Sequence, residues 1–392
     1  MERWIGLAGI AVLLLIAILL SRRRSRIPWA TVGVALAMQF ALAFLVLNWE
    51  AGKAALATLA AVVTRFVSYS DEGARFLFGW LADPMDRLGR ATNLPLAGYV
   101  FAFKVLPIVI FICAFFMILY HYGVMPRVVQ AMAWAMRRLL RISGAEALCV
   151  AANVFIGQTE APVMVAPYLA EMTTSELLTV MTGGMAHVSG AVLLAYVAMG
   201  IPAKFLITAS VMAAPGTIMI AKILDPETGA PKTLGRVTIA PLERHANGID
   251  AAAAGASQGL TLALNIGAML IAFIALIALG NGILGWAGEL AGRPGLSLQA
   301  IFGWVLSPLT YLMGVPASDT HTVGDLIGAK TVVNEFYAYA RMATLQAGMT
   351  EKGRLVASFA LCGFANFASI GVQIGGIGGL APSRRSDIAR LG

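Results

Sequence analysis

The chain has 392 residues, of which 59% are hydrophobic and only 12% are charged, and its mean hydropathy is +0.80. These values exclude an ordinary soluble domain and indicate a polytopic membrane protein that lies mostly in lipid. The net charge of +8 includes arginines that cluster beside apolar segments, as the positive-inside rule leads one to expect, so we exclude nucleic acid as a partner.

The N-terminal part is predicted to form two membrane helices and one surface segment. The apolar run at residues 4–20 precedes its basic cluster, whereas a signal peptide would follow one, so we expect a retained helix with its N-terminus outside. Residues 29–49 then cross back outward. In residues 51–90 apolar and charged side chains alternate, which favours an amphipathic segment on the outer face over the alternative, a solvated loop.

A break in the apolar pattern occurs at residues 153–169, NVFIGQTEAPVMVAPYL. The polar residues 158–160 are consecutive and cannot share one helical face, and Gly157 and Pro162 flank them with a flexible residue and one that lacks a backbone donor. Such irregular backbone at membrane depth is tolerated where it lines protein or a cavity. We therefore predict a re-entrant hairpin with a binding tip, which enters and leaves on the inside.

The segments around this hairpin follow from hydropathy and charge. They are an inward span (99–120), a basic amphipathic helix on the cytoplasmic surface (125–142), an outward span containing GGMAHVSG (177–199), an inward span (205–223), a polar inner linker (225–250) and a long scaffold span (260–279).

The C-terminal third is predicted to repeat this theme. Residues 298–316 form a second hairpin, broken at Ser307 and Pro308, that enters from outside. Residues 324–342 then run inward and residues 355–382 run outward, which places the basic tail outside, against the charge bias. Hairpin, broken helix and helix thus occur twice in opposite orientation, and such inverted repeats hold a substrate near the midplane.

The predicted fold class is an all-α polytopic membrane protein with about eight transmembrane helices, two re-entrant helical hairpins in an inverted repeat, and amphipathic surface helices. The predicted units are N-terminal helices that are mainly scaffold (1–122), a first transport-domain repeat (123–223), a linker with a long scaffold helix (224–286) and a second transport-domain repeat (287–392). The three cysteines lie inside apolar runs without metal-type spacing and are predicted to be buried thiols: Cys113, Cys149 and Cys362.

Polar side chains in the C-terminal spans are candidates for a site. Glu335 lies in the middle of an apolar segment, where an ionised side chain costs on the order of 3 kcal/mol on insertion scales. Lys330 is disfavoured as its structural partner, because the five-residue separation puts the two off the same helical face. Asn366 and Ser369, three residues apart, offer an amide and a hydroxyl on one face of the last helix.

These groups and the hairpin tip supply carboxylates, amides and hydroxyls, but no basic residue. A phosphate or dicarboxylate would be expected to require Arg or Lys. The set therefore favours a neutral, hydroxyl-rich ligand with an amide-like edge, and Phe364 offers an aromatic contact. The sequence Asp319, Thr320 and His321 lacks the further ligands of a metal site and is predicted to be a solvated turn.

Three segments together closely resemble the bacterial branch of the concentrative nucleoside transporter family: GQTEAP, NEFYAYA and ALCGFANFASIGVQIGGIGGLAPSRRSDIARLG. The resemblance extends from about residue 99 to the C-terminus, and the motifs are long enough to be highly specific. It implies a multi-pass protein of the bacterial inner membrane, with eight crossings and two hairpins, that assembles as a homotrimer. It further implies uptake of a nucleoside, most favourably uridine-like, by an elevator motion of a transport domain, without a cofactor.

The resemblance also implies the roles of individual residues. Gln158 and Thr159 would read the base with help from Glu160, Val192 and Phe364 would flank it, and Glu335, Asn366 and Ser369 would hold the ribose hydroxyls. The substrate-binding residues it indicates are Gly157, Gln158, Thr159, Glu160, Val192, Glu335, Phe364, Asn366 and Ser369.

The coupling ion is either H⁺ or Na⁺. The family's sodium site would correspond to the Asn153 side chain, the carbonyls of Ile156 and Val188, and a small hydroxyl residue where this chain has His187. Imidazole titrates near neutrality and serves in proton relays, so we favour H⁺. The alternative is that His187 only bonds a neighbouring group while Asn153 keeps some sodium binding.

Three other functions remain open at this point. The first is a cation-coupled carrier of another small polar metabolite such as a dicarboxylate. The second is an intramembrane enzyme that uses Glu160 or Glu335 as acid or base, although no catalytic motif accompanies them, so we expect no enzymatic activity. A passive channel is the weakest, because two hairpins closing on one site favour alternating access.

Overall fold

The computed structural model describes residues 2–82, 100–234 and 245–392, and in these residues the regular structure is entirely helical. The α-helices are α1 (Glu2–Leu19), α2 (Trp29–Leu47), α3 (Glu50–Ser68), α4 (Ser70–Phe78), α5 (Phe101–Lys104), α6 (Leu106–His121), α7 (Val124–Leu140), α8 (Gly144–Asn153), α9 (Ala166–Leu169), α10 (Thr174–Ala186), α11 (Gly190–Ala198), α12 (Ala203–Leu224), α13 (Gly248–Leu290), α14 (Leu298–Leu312), α15 (Thr320–Val332), α16 (Glu335–Leu345), α17 (Glu351–Leu361), α18 (Phe367–Leu380) and α19 (Arg385–Leu391). The parts of the predicted surface segment and inner linker that fall in residues 83–99 and 235–244 lie outside the described residues.

Six helical segments in the described ranges are long and apolar enough to cross a membrane: Trp29–Val46, Glu50–Ala82, Phe101–His121, Thr174–Ala198, Ala203–Leu224 and Gly248–Leu290. Three shorter apolar helices accompany them: Ile5–Leu19, Leu298–Leu312 and Phe367–Leu380. The prediction of an all-α polytopic membrane protein is confirmed.

The predicted amphipathic helix at 125–142 is confirmed as α7. Its buried side chains, such as Val129 and Met136, recur at helical spacing on one face, whereas Arg127 and Arg138 are exposed. The segment predicted at 51–90 is helical as far as it is described, in α3 and α4, so the loop alternative is wrong for that part.

The first hairpin is built as predicted. Helix α8 runs in, the chain turns without regular structure, and a 3-10 helix (Ala161–Val165) and α9 lead out. Ser143 starts α8 with a capping box: its hydroxyl accepts from the backbone N–H of Glu146 (3.3 Å), and the Glu146 carboxylate accepts from the Ser143 N–H (3.0 Å). Every residue of α8 is buried, so this arm lies within the protein.

A buried ion pair holds the base of this hairpin against α10 and α12. Lys222 is 3% exposed and its Nζ lies 2.5 Å from Glu146 Oε1, while it also donates to Ser175 Oγ (2.9 Å). Thr179 donates to the same Glu146 oxygen (2.8 Å). Because the charges and their remaining donors are matched, the pair avoids the penalty of an isolated buried charge.

Replacing Lys222 by methionine is expected to destabilise the transporter by about 3 to 5 kcal/mol, because Glu146 would remain buried without its cation. Thermal unfolding of the detergent-solubilised protein measures the effect, with the exposed Lys204→Met as a matched control. Adding Glu146→Gln to Lys222→Met removes the unpaired charge and should restore part of the stability. An unchanged melting temperature in Lys222→Met would contradict the argument.

The second hairpin does not lie where the sequence predicted it. Residues 298–312 form one continuous helix, α14, with Pro308 in its interior. The hydroxyls of Ser307 and Thr310 donate to the backbone carbonyls of Gly303 (2.5 Å) and Ser307 (3.0 Å). Proline removes only one backbone donor, and its neighbours' hydroxyls meet carbonyls of the same region. The prediction of two arms broken at Ser307 and Pro308 is therefore wrong.

The second hairpin is instead formed by α15 and α16, within the segment predicted as one span at 324–342. Arg341 donates to both carboxylate oxygens of Asp325 (3.2 and 2.7 Å). These residues lie eight positions on either side of Val333, so the two helices run antiparallel. Asn334 has extended backbone angles and accepts from the Tyr337 N–H (2.9 Å). It is thus an N-cap that starts a new helix.

This correction reverses the direction of the last span. Asp319 and Thr350, at the two open ends of the second hairpin, are joined by a hydrogen bond from the Thr350 hydroxyl (2.6 Å). Asp319 is 4% exposed, so the predicted solvated turn is wrong for this residue, whereas His321 is exposed as predicted. From there α17 and α18 lead to Arg384, which donates to the carbonyls of Ala170 (3.3 Å) and Met172 (2.5 Å).

The basic tail therefore lies at the base of the first hairpin, the end that the sequence places inside. This placement contradicts the combined prediction that the first hairpin opens inside while Arg384, Arg385 and Arg390 lie outside. With the hairpin opening inside, the tail follows the positive-inside rule. The inverted repeat remains: hairpin and broken helix occur as α8–α9 with α10–α11, and again as α15–α16 with α17–α18. The two hairpins open at opposite ends of the molecule, and the turn of each points toward the interior.

Candidate functional site

The tip of the first hairpin contacts the beginning of α18. The side-chain amide of Gln158, which is 9% exposed, donates to the Ser369 hydroxyl (3.2 Å). Thr159 lies against the next turns of the same helix, because a Cβ on Gly376 would be 2.7 Å from the Thr159 methyl group. The structure thus brings two predicted hairpin residues to the helix that carries predicted ribose-binding residues.

The turn of the second hairpin meets the same helix end. Glu335 is 4% exposed, and one of its carboxylate oxygens accepts from the Asn366 side-chain amide (3.0 Å). The Asn366 oxygen in turn accepts from the Ser369 N–H (2.9 Å), so Asn366 is the N-cap of α18. Glu335 occupies the first turn of α16, where the positive helix end stabilises a carboxylate.

Asn366 and Ser369 therefore differ from their predicted arrangement. The sequence predicted a continuous helix with both side chains on one face, but the chain between Leu361 and Phe367 is interrupted. The N-termini of α16 and α18 both lie at this interruption. Half-helix N-termini of broken helices are where transporters bind polar substrate groups.

The sequence predicted that Lys330 is not the partner of Glu335, and the structure agrees. The Lys330 ammonium donates to the carbonyls of Ala360 (3.0 Å) and Cys362 (3.2 Å) at the end of α17, where a cation complements the free carbonyls and the negative helix end. It therefore leaves the Glu335 carboxylate available to hydrogen-bond donors.

The remaining predicted substrate residues are Val192, Phe364, Glu160 and Gly157. Val192 is buried in α11. Phe364 is half-buried, and its N–H donates to the His187 carbonyl (3.3 Å), which joins the breaks of the two interrupted helices. One Glu160 carboxylate oxygen is buried without a hydrogen-bond partner among the described residues. A Cβ on Gly157 would collide with that carboxylate, so a larger residue there would displace the Glu160 side chain.

The candidate coupling residues form a second group behind the hairpin tip. Asn153 donates to the Cys149 carbonyl (3.0 Å), and His187 Nδ1 lies 2.9 Å from the Gly183 carbonyl. Because a carbonyl only accepts, His187 carries its proton on Nδ1, which leaves Nε2 as an acceptor. Among the described residues, Asn153 Oδ1 and His187 Nε2 are both buried without a hydrogen-bond partner.

Gly183 links these two residues in space. A Cβ at Gly183 would lie 3.1 Å from Asn153 Nδ2, so Asn153 and the turn bonded by His187 are neighbours. Val188 is completely buried at the break of the same helix, and the N–H of Ile156 bonds the Ala152 carbonyl at the end of α8.

No group of three or more metal-ligating His, Cys, Asp or Glu side chains occurs in the described part of the chain. Cys149 is buried as predicted, while Cys113 and Cys362 are only half-buried.

Sequence reasoning missed two features of the site. Gln373 is completely buried and donates to Gln158 (3.3 Å); the signal was a lone amide inside the apolar run of α18. An aromatic cluster also lies at the second hairpin: the Tyr196 ring is 4.9 Å from the Phe336 ring and 4.3 Å from the Tyr339 ring, centroid to centroid.

Two hairpins and two broken helices that meet around buried polar groups define a secondary membrane transporter. The family model "Na+ dependent nucleoside transporter C-terminus" matches residues 205–392, its N-terminal counterpart matches residues 8–81, and the model "Nucleoside recognition" matches residues 102–203. The chain belongs to the concentrative nucleoside transporter family.

Similar proteins span nearly the whole chain. Nucleoside permease NupC of Helicobacter pylori is 40% identical over 98% of this chain and 92% of its own. Sodium/nucleoside cotransporter 2 of Rattus norvegicus is 38% identical over 100% of this chain and 60% of its own. The structure of CNTnw in an inward-facing substrate-bound state has a TM-score of 0.93 and 42% identity, and the match covers 100% of this chain and 93% of that chain. The protein is accordingly a multi-pass nucleoside transporter of the bacterial plasma membrane and not an enzyme.

Proposed function

We propose that the protein concentrates uridine-like nucleosides by cation-coupled symport, with Glu335, Asn366 and Ser369 binding the ribose and the first hairpin reading the base. The contact of the Glu335 carboxylate with the Asn366 amide carries this proposal. The Glu335 carboxylate, which can accept hydrogen bonds at both oxygens, thus lies beside an amide and a hydroxyl. A ribose diol, with two adjacent O–H donors, is a complementary ligand.

The base-binding part of the proposal rests on the amide of Gln158. This side chain uses its N–H and its oxygen within the protein (to Ser369 and from Gln373), but it retains one N–H and one lone pair. A nucleobase edge with adjacent donor and acceptor atoms can use both. Thr159 adds a hydroxyl, and Val192 and Phe364 supply apolar contact.

An elevator motion is the proposed transport step. CNTnw has been solved in an inward-facing state, and a doubly substituted variant of CNTnw in an outward-facing state. In this chain the two hairpins and their broken helices (123–223 and 287–392) would move as a transport domain against a scaffold (1–122 and 224–286). Helix α13 carries large exposed apolar side chains, among them Leu264 and Ile271, which supports its use against lipid and neighbouring subunits of a proposed homotrimer.

Reconstituted proteoliposomes test the proposal directly. With an imposed cation gradient, labelled uridine should accumulate above its external concentration and be recovered chemically unchanged. Unlabelled nucleosides should compete with it and succinate should not. Competition by succinate would favour the dicarboxylate alternative, against which the capture of the buried Lys330 ammonium by backbone carbonyls also argues.

Loss of one sugar hydroxyl should weaken transport more than a change at an apolar part of the base. We expect 3′-deoxyuridine to have a KM at least about tenfold higher than uridine, because a buried carboxylate loses a charge-assisted hydrogen bond. 5-Methyluridine, which keeps both hydroxyls, is the matched control and should change KM by less. Equal KM values for uridine and 3′-deoxyuridine would contradict the ribose site.

The proposed coupling ion is H⁺, with Na⁺ as the alternative. Among the described residues His187 Nε2 is buried without a hydrogen-bond partner, and imidazole is the side chain best suited to take up a proton near neutral pH. The unpartnered Asn153 oxygen suits a hard cation, which keeps the sodium alternative testable.

A further inference from the structure

Gln373 connects three parts of the site that are distant in sequence. It is completely buried in α18, one turn after Ser369. Its side-chain nitrogen donates to the Met181 carbonyl of α10 (2.9 Å) and to the Gln158 side-chain oxygen at the hairpin tip (3.3 Å). The Gln158 nitrogen then donates to the Ser369 hydroxyl (3.2 Å).

The direction of this hydrogen-bond chain is fixed at one end. The backbone carbonyl of Met181 can only accept, so the Gln373 group that faces it must be the NH₂. That same NH₂ faces Gln158, which must therefore present its oxygen to Gln373 and its NH₂ to Ser369. A backbone atom in α10 thus determines the orientation of an amide at the hairpin tip.

The packing around Gln373 leaves little room for the amides to move. A Cβ on Gly184 would lie 2.6 Å from the Gln373 nitrogen and 2.9 Å from the Gln158 Cβ. Glycine at this position therefore lets α10 approach both side chains closely. Because Gly184 has no side chain, the backbone of α10 packs directly against the two amides and limits their movement.

We propose that Gln373 is a positioning residue that fixes the orientation of the Gln158 amide and so makes the site prefer a uracil edge over a cytosine edge. This inference rests on the proposed function, in which Ser369 binds the ribose. From the sugar outward, Gln158 presents first its N–H and then its oxygen. That order complements the 2-keto oxygen followed by the N3–H of uracil, whereas N3 of cytosine is an acceptor and would face the Gln158 oxygen.

The test measures KM for uridine and for cytidine in proteoliposomes. Wild type should prefer uridine, and Gln373→Met should reduce the cytidine-to-uridine KM ratio by about tenfold, because Gln158 is then free to turn over. Gln373→Glu has the same shape but places an acceptor where a donor is needed, and it should reduce the ratio as well. It also serves if the methionine variant does not reach the membrane.

Gln39→Met is the matched control. Gln39 also donates from its side-chain nitrogen to a backbone carbonyl of another helix, that of Met212 (3.2 Å), and it also packs against a glycine, Gly216. Its loss should leave the KM ratio unchanged. In a Gln158→Ala background, Gln373→Met should cause no further change in the ratio, because Gln373 acts through Gln158.

The possible outcomes separate this inference from the proposed function. If wild type takes up no nucleoside, the proposed function fails. If wild type takes up uridine but prefers cytidine or treats both alike, the inferred amide orientation is wrong. An unchanged ratio in both Gln373 variants, or a change that persists without Gln158, would show that Gln373 has a purely structural role.

Discussion

Replacing Glu335 by glutamine is expected to lower uridine uptake by at least about 100-fold while the protein still reaches the membrane. In the proposed complex the carboxylate accepts from two ribose hydroxyls, and each hydrogen bond to a charged group contributes roughly 1.5 to 3 kcal/mol. Loss of both corresponds to about 3 to 6 kcal/mol, or about two to four orders of magnitude in affinity. Glu335→Ala should have a similar effect.

The stability of the variant distinguishes a binding role from a structural one. Glu335 is buried, its carboxylate accepts from the Asn366 side-chain amide (3.0 Å), and the Lys330 ammonium donates to backbone carbonyls instead. Because a carboxylate held in the interior costs free energy, Glu335→Gln should melt no lower than wild type. Functional residues commonly carry such a stability cost.

The measurement is initial uptake of labelled uridine, normalised to the amount of protein in the membrane. Glu351→Gln, an exposed glutamate in the first turn of α17, is the matched control and should keep normal uptake. Normal uptake by Glu335→Ala would remove the ribose assignment. A large fall in melting temperature together with low uptake would indicate that Glu335 mainly supports the fold.

The two hairpins differ in how visible they are in the sequence. The first is interrupted by three consecutive polar residues between Gly157 and Pro162. Because consecutive residues cannot share one helical face, the sequence predicts this break. The second is interrupted at Asn334 without any proline or glycine nearby. The overlooked signal was the cap itself, an Asn followed by Glu335, which is typical of a helix N-terminus.

One misplaced break then led to a second error. Because Pro308 was interpreted as the hairpin turn, the following spans were assigned opposite directions and Arg384 was placed at the wrong end. The charge bias of the tail had already indicated the conflict. Global orientation depends on every preceding element, so a local error of this kind affects the whole C-terminal third.

The types of residue at the site were predictable, but their pairing was not. Buried carboxylates, amides and hydroxyls are recognisable because they are costly in an apolar segment. The bond between Gln158 and Ser369 joins residues 211 positions apart, and only the packing of the hairpin against α18 creates it. Gln373 was missed for the same reason, since its importance comes from the two groups that it touches.

Substitution of His187 is expected to uncouple uptake from the proton gradient. With one proton per nucleoside, a gradient of one pH unit supplies about 1.4 kcal/mol and sustains about tenfold accumulation. In the proposed cycle the proton binds His187 Nε2, since Nδ1 already donates to the Gly183 carbonyl (2.9 Å). Asparagine can keep that hydrogen bond but cannot titrate, so His187→Asn should not accumulate uridine in a pH gradient.

Exchange of labelled for unlabelled uridine across the vesicle membrane is the control, because it needs substrate binding and movement but no net coupling. His187→Asn should retain exchange, which separates loss of coupling from loss of folding.

Asn153→Ala provides the opposite comparison, since its side-chain oxygen belongs to the sodium alternative. If wild-type uptake requires sodium at fixed pH, and Asn153→Ala abolishes that requirement while His187→Asn leaves it intact, the coupling ion is Na⁺ and the proton assignment is wrong. Accumulation driven by an inward proton gradient in sodium-free vesicles, lost in His187→Asn alone, would establish the imidazole as the coupling group.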